Sequence, residues 1–292
     1  MATFLWVAIL VVFNFYYDFE DSYIDSFYGT HWRSFGLFIY HLISYIITCW
    51  LIVLFTHQNP FKYRQFWLLS LAGFAILGLS RGHAYSYDVA RYLTSDVYAF
   101  QFTFKLMQRW APLLFIIIPL AIIYIFWLRK PAPAFFGIKP NTSIRPYLIM
   151  LAIMAPFIFA ASFDPSFLKQ YPNYKGALIE QFASRNDLNY PLLLSFYELS
   201  YAFGFFVVEV FFRGFLIFAF TQFLGPHVVL PMAVTYCVLH FGKPLGEAIS
   251  SFFGGYLLGI LALRTRNIYG GIVIHIGIAW LMELFAYLQM HL

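Results

Sequence analysis

The sequence is poor in charged residues. They occupy 11% of its 292 positions, whereas hydrophobic residues occupy 62% and the mean hydropathy is +0.73. A typical soluble domain has about 25% charged and about 45–50% apolar residues. The shortage of charge therefore argues against an ordinary soluble domain and predicts an all-α, multi-pass transmembrane helical bundle.

Other features are also missing. The chain has two cysteines, Cys49 and Cys237, each within an apolar run, so a disulfide framework is excluded and free thiols are expected. The N-terminal stretch has neither a basic region nor a small-residue cleavage site, so we expect a retained helix rather than a signal peptide. The net charge of +5 is scattered. We therefore expect membrane lipid and no nucleic acid among its partners.

Apolar runs predict nine transmembrane helices, or eight if the first lies in the membrane interface. Their expected bounds are Thr3–Tyr17, Ser34–Thr56, Gln65–Ser80, Trp110–Leu128, Pro146–Ser162, Pro191–Phe223, Pro226–Phe241, Leu245–Arg264 and Ile268–Met290. Residues 81–109 mix charges with aromatic side chains, which predicts an amphipathic interfacial helix or a re-entrant pair. Residues 164–190 form the longest expected polar loop. The helix over 191–223 exceeds one bilayer core, so it should tilt, project or kink near Gly204.

The distribution of basic residues predicts the orientation in the membrane. In the nine-helix count, the basic residues of the short loops share one side: Lys62, Arg64, Arg129, Lys130, Lys139, Arg145, Arg264 and Arg266. The acidic first loop falls on the opposite side. Because cytoplasmic loops are enriched in Lys and Arg, we expect a cytoplasmic N-terminus. Chain size and simple termini favour a bacterial cytoplasmic (inner) membrane.

One strongly apolar stretch, residues 205–218, contains two charges. Glu209 and Arg213 are four residues apart, so on a helix their side chains share a face and can partly neutralise each other. A charge at membrane depth costs about 2.5–3.5 kcal/mol on insertion scales. Two helices further along the chain carry His240 and His275. We interpret these four residues as one polar centre inside the bundle.

This centre suggests a reaction with water. Glu209 would act as the base, and His240 and His275 would bind the water or stabilise an oxyanion. In a second version the two histidines and Glu209 hold a divalent metal, the one cofactor that the sequence suggests. Glu247 and Glu283 are candidates for supporting roles. The structural alternative is a set of hydrogen bonds that holds the helices together.

Three motifs in the C-terminal part resemble the CPBP family, which includes CAAX prenyl endopeptidases and bacteriocin-processing intramembrane proteases and is also called the ABI family. The family pattern is Glu-Glu-xxx-Arg on one helix, Phe-xxx-His on the next, and His-xxx-Asn or Asp on the last. This chain carries Val208-Glu209-Val-Phe-Phe-Arg213-Gly214, Tyr236-Cys-Val-Leu-His240 and His275-Ile-Gly-Ile-Ala279. The resemblance covers residues 191–292.

The resemblance implies a CPBP-like four-helix core at 191–292, with additional transmembrane helices at 1–190. It also implies an intramembrane endopeptidase that cleaves a peptide or a lipid-modified substrate. Two positions depart from the pattern, because Val208 replaces the first Glu and Ala279 replaces the Asn or Asp. A valine cannot move a proton. The alternative is therefore a non-proteolytic relative that binds a peptide or a partner subunit in a membrane complex, and the sequence leaves enzymatic activity open.

Overall fold

The computed structural model describes residues 2–56, 58–128, 134–138 and 143–291, and no β-strand occurs among them. The α-helices in these residues are α1 Ala2–Tyr17, α2 His31–Phe55, α3 Arg64–Gly82, α4 Tyr85–Leu93, α5 Val97–Pro112, α6 Ile118–Ile123, α7 Arg145–Ala161, α8 Pro165–Gln170, α9 Ile179–Arg185, α10 Tyr190–Glu209, α11 Thr221–Leu224, α12 Val229–Val238, α13 Leu245–Thr265 and α14 Tyr269–His291. The predicted all-α class is confirmed. Three of the basic residues used for the orientation, Arg129, Lys130 and Lys139, lie outside the described residues.

The structure has several helices that are long and apolar enough to cross a membrane. Within the described part of the chain there are five: His31–Phe55, Val97–Leu128, Tyr190–Val238, Leu245–Thr265 and Tyr269–His291. The number rises to seven if each of two bent helix pairs counts as one span. The multi-pass bundle is confirmed, whereas the expected eight or nine spans are not. One reason is that the helix expected at 226–241 has only ten α-helical residues, too few to span a bilayer alone.

The segment expected to be interfacial, residues 81–109, contains α4 and most of α5. Helix α5 begins at Val97 and continues through π-helical turns to Leu128, so this span starts thirteen residues before Trp110. The side chain of Asp96 accepts hydrogen bonds from the backbone N–H groups of Tyr98 and Ala99, at 3.1 and 2.9 Å. This N-cap fixes the start of the helix.

The expected polar loop at 164–190 is instead partly helical, since it contains α8 and α9. Asp164 caps α8 by accepting a hydrogen bond from the backbone N–H of Ser166 at 2.7 Å. Pro165 occupies the first helical position, where its missing N–H costs nothing. The local cap signal therefore outweighs the polar composition of this segment.

The long helix expected over 191–223 changes its winding rather than kinking at Gly204. Helix α10 stays α-helical to Glu209, and residues Val210–Ile217 form a π-helix whose eight residues are all buried. π-Helical turns are rare and occur often at functional sites. The irregular turn thus begins directly after Glu209.

The chain forms two compact units, each built from three stretches of sequence. The first unit contains Met1–His83, Phe115–Pro140 and Glu209–Tyr269, and the second contains Ala84–Leu114, Asn141–Val208 and Gly270–Leu292. The expected boundary at residue 190 separates additional helices from a core that resembles the family. It is not a division into compact units, and it stays a prediction.

Helix α12 lies in the core of the first unit. Its side chains are almost all buried, and it shares a cluster of apolar side chains with α1 and α13. At Gly255 of α13, a Cβ atom would lie 2.9 Å from a ring carbon of Tyr236 on α12, whereas at Gly254 it would meet nothing within 4 Å. Gly255 therefore permits the close approach of these two helices. Cys237 and Cys49 are both buried and free.

Candidate active site

The charged pair singled out in the sequence forms an ion pair at the start of the π-helix. The Arg213 Nη1 atom lies 2.9 Å from Oε1 of Glu209, and both side chains are 0% exposed. Removing two charges from water is costly, and apolar residues in their place are often as stable or more stable. Stability alone is therefore a poor reason for this pair in an apolar helix.

Tyr236 connects the ion pair to His240 within the first unit. The guanidinium carbon of Arg213 lies 4.4 Å from the centre of the Tyr236 ring, a cation–π distance. The same ring also contacts His240, with ring centres 4.5 Å apart and an interplanar angle of 62°. In the sequence, Tyr236 is recognisable only as the first position of the second motif. The four-residue spacing of Tyr236 and His240 was the signal that both project from one face.

His240 follows the end of α12 rather than ending that helix as expected. It lies in the turn two residues after Val238, and its Nδ1 atom is 2.8 Å from the backbone oxygen of Tyr236. Because that oxygen can only accept, Nδ1 carries the hydrogen in this contact. In the neutral ring, Nε2 is then the accepting nitrogen. This tautomer is suited to accept a hydrogen bond from a water molecule.

Glu247 also belongs to the first unit, in the first turn of α13. Its Oε1 atom lies 3.9 Å from Nζ of Lys243, and the two side chains are 21% and 28% exposed. A solvent-accessible pair of this kind contributes little to stability. Glu247 is therefore a more hydrated carboxylate than Glu209, with a cation one helical turn away.

The last helix places His275 and Glu283 in the second unit. The His275 ring lies 5.6 Å from the ring of Phe205. Both carboxylate oxygens of Glu283 accept from the backbone N–H of Asn173 at 2.8 Å, and Glu283 is 6% exposed. Ala279, which lies between His275 and Glu283 in the sequence, is also buried. Glu283 thus satisfies a helix-terminal N–H group, while a supporting role in catalysis stays a prediction.

A second polar cluster, absent from the sequence analysis, surrounds Arg109 in the second unit. Its guanidinium donates to the side-chain oxygen of Asn173 and, at 3.4 Å, to the hydroxyl of Tyr197. The ring of Tyr201 lies 4.5 Å from the guanidinium carbon. Both carboxylate oxygens of Glu198 are buried without a hydrogen-bond partner. In the sequence, Arg109 and Glu198 are visible only as charges beside apolar runs. Their spacing along the chain does not show which side chains they contact.

The suggested metal site finds no support in the geometry. Among the described residues, no group of three His, Cys, Asp or Glu side chains is arranged to hold a metal ion. A catalytic zinc normally needs three protein ligands. The metal-bound version stays a prediction, and the reaction proposed for this protein uses no metal.

Comparison with known proteins identifies the C-terminal part. Residues 191–281 match the family model Rce1-like, described as type II CAAX prenyl endopeptidase Rce1-like. This confirms the resemblance to the CPBP family over about a third of the chain, a stretch that includes Glu209, Arg213, His240 and His275. No curated protein and no solved structure shows a significant match. The apolar helices and the family match together identify an integral membrane protein.

Proposed function

We propose that this protein is an intramembrane endopeptidase of the CAAX-protease type. It cleaves a peptide or a lipid-modified protein substrate with a water molecule activated by Glu209. The observation that carries the proposal is the fully buried Glu209–Arg213 ion pair, which belongs to the same compact unit as Tyr236 and His240. Arg213 pairs with Glu209 in this buried position, and a carboxylate is the form of a glutamate side chain that accepts a proton.

The proposed reaction is a hydrolysis in which each group has one task. Glu209 takes a proton from the water, and the water oxygen bonds to the carbonyl carbon of the scissile peptide bond. The carboxylic acid then gives that proton to the leaving nitrogen as the C–N bond breaks. His240 accepts a hydrogen bond from the water through Nε2, and Arg213 balances the charge of the carboxylate. We assign His275 to stabilisation of the oxyanion from its position in the third motif alone.

Glu209 is preferred as the base over Glu247 and Glu283, the two carboxylates that the sequence offers for supporting roles. Val208 has no proton acceptor, which leaves Glu209 to act without the neighbouring carboxylate of the family pattern. Glu283 lies outside the matched residues and is engaged with the backbone of Asn173. Glu247 lies beside Lys243 in a more hydrated position. Burial and the paired arginine together favour Glu209.

A cleavage assay tests the proposal. The purified protein in nanodiscs is incubated with prenylated and unmodified C-terminal peptides, and products are measured by mass spectrometry. We expect wild-type cleavage that Glu209→Gln and His240→Ala abolish, whereas Glu180→Gln, on an exposed residue of α9, leaves it unchanged. Cleavage that persists in both site variants would refute the assignment.

A second variant in the same assay tests the two positions that depart from the family motif. Val208→Glu with Ala279→Asn restores the family residues. A silent wild type with an active restored variant would favour a non-proteolytic protein that binds a peptide or a partner subunit. An active wild type would show that Glu209 is sufficient without a second carboxylate.

The proposed location is a bacterial cytoplasmic membrane, with the N-terminus in the cytoplasm. The basic residues of the short loops support this orientation through the positive-inside rule. A protease-sensitive tag placed before Ala2 tests it in intact spheroplasts. Protection of the tag until the membrane is permeabilised is the expected result.

A further inference from the structure

The N-terminal helix packs directly against the turn that carries His240. Leu10 and Val11 of α1 lie in the buried cluster that also contains Val238 and Phe241. The ring of Phe15 meets the ring of Phe241 edge to face, with centres 6.0 Å apart. Helix α1 lies outside the residues that match the family. A segment outside the family match therefore packs against the turn that carries His240.

Phe241, the residue after His240, is enclosed from two directions. Tyr40 of α2 lies on it as well as Phe15, with ring centres 6.3 Å apart. At the next position, Gly242, a Cβ atom would lie 3.4 Å from a carboxylate oxygen of Asp21. Side chains from the N-terminal part thus contact the two residues after His240, and the His240 ring itself is held by the backbone oxygen of Tyr236.

A single buried amide joins the elements of this enclosure. Asn14 is 3% exposed, and its Oδ1 atom accepts from the backbone N–H of Glu20 at 3.1 Å and from the hydroxyl of Tyr40 at 3.3 Å. It links the end of α1, the π-helical turn Phe19–Ile24 and helix α2. The chain bends by 57° after α1, at Asp18, whose φ of 49° is left-handed. Asn14 therefore fixes the position of Tyr40 relative to α1.

We infer that Asn14 and Tyr40 are positioning residues that hold the His240 turn in its reactive geometry. Neither side chain takes part in the proposed chemistry. Tyr40 confines Phe241, and Phe241 adjoins His240, so freeing that ring allows the imidazole to move. A misplacement of about 1 Å can cost about 100-fold in rate. The inference rests on the proposed function and deepens it by assigning a role to residues outside the family match.

The test uses full-length protein in nanodiscs and three variants. Tyr40→Leu removes the ring, Tyr40→Phe removes only the hydroxyl, and Tyr16→Leu is the matched control on the exposed face of α1. Two readouts are measured: kcat and KM for peptide cleavage, and the ¹⁵N-histidine NMR signal of His240, assigned by its loss in His240→Gln. The NMR signal reports the Nδ1–H hydrogen bond without any substrate.

We expect Tyr40→Leu to lower kcat by about tenfold or more with KM unchanged, and to shift or broaden the His240 signal. Tyr40→Phe, which keeps the ring but loses the hydrogen bond to Asn14, should change both readouts in the same direction by a smaller amount, and Tyr16→Leu should match wild type. An unchanged His240 signal in Tyr40→Leu would overturn the inference, whatever the rate. If the signal changes but wild type cleaves nothing, the positioning of the turn is supported and the proposed function fails.

Discussion

The Glu209–Arg213 pair gives the sharpest prediction, because the structure sets the size of the effect. Both side chains are fully buried and their charged atoms are 2.9 Å apart. Removing one partner leaves a buried charge uncompensated, at a cost of about 3–5 kcal/mol. The Tyr236 ring over the guanidinium contributes about 2 kcal/mol when desolvated and can partly stabilise a lone Arg213. We expect both Arg213→Met and Glu209→Gln to destabilise the protein, since each removes one partner of the buried pair.

The double variant Glu209→Gln/Arg213→Met contains no buried charge and should unfold with a free energy close to that of wild type. The measurement is a double-mutant cycle by reversible unfolding in mixed micelles, with Arg91→Met on an exposed face of α4 as the control. Single variants within about 1 kcal/mol of wild type would contradict the reasoning, because the pair would then be hydrated. A double variant that is stable but inactive in cleavage would assign the pair to chemistry rather than to folding.

Three further predictions test the packing, the helix start and the thiols. Gly255→Leu should destabilise the protein by about 1–3 kcal/mol because its side chain meets α12, whereas Gly254→Leu, facing open space, should be nearly neutral by the same unfolding assay. Asp96→Ala should cost about 1 kcal/mol through loss of the α5 cap, seen as faster hydrogen exchange in the first turn. Cys49 and Cys237, at 0% and 1% exposure, should react with a maleimide only after unfolding.

The ends of a helix could be predicted from the sequence where a neighbouring residue, such as a proline, marks them. The expected helix 245–264 and the observed α13 differ by one residue, because Pro244 marks the start in both. The start of α5 was missed because Arg109 made residues 97–109 look interfacial. In the fold that arginine is satisfied by Asn173 and Tyr197. Those partners are 64 and 88 residues away along the chain, so hydropathy alone cannot reveal them.

The contacts of the candidate site also differ in whether the sequence can predict them. The Glu209–Arg213 pair was readable because four residues of helix fix which side chains meet. The acceptor role of His240 Nε2 also depends on a local contact, the carbonyl four residues earlier. The partner of Glu283 was not readable, since Asn173 is 110 residues away. Sequence periodicity therefore predicts pairs within one helix and leaves the assignment of isolated carboxylates to the fold.

Glu283 and Glu209 are both buried carboxylates, but their charges interact with different kinds of partner. Glu283 satisfies a backbone N–H group that would otherwise be costly to bury, so its charge has a structural reason. Glu209 instead pairs with a cation, and an apolar pair of similar volume could fill the same space with less desolvation. The π-helix begins at the next residue, and His240 lies beside the Tyr236 ring that contacts Arg213. Both observations support the proposed catalytic role of Glu209.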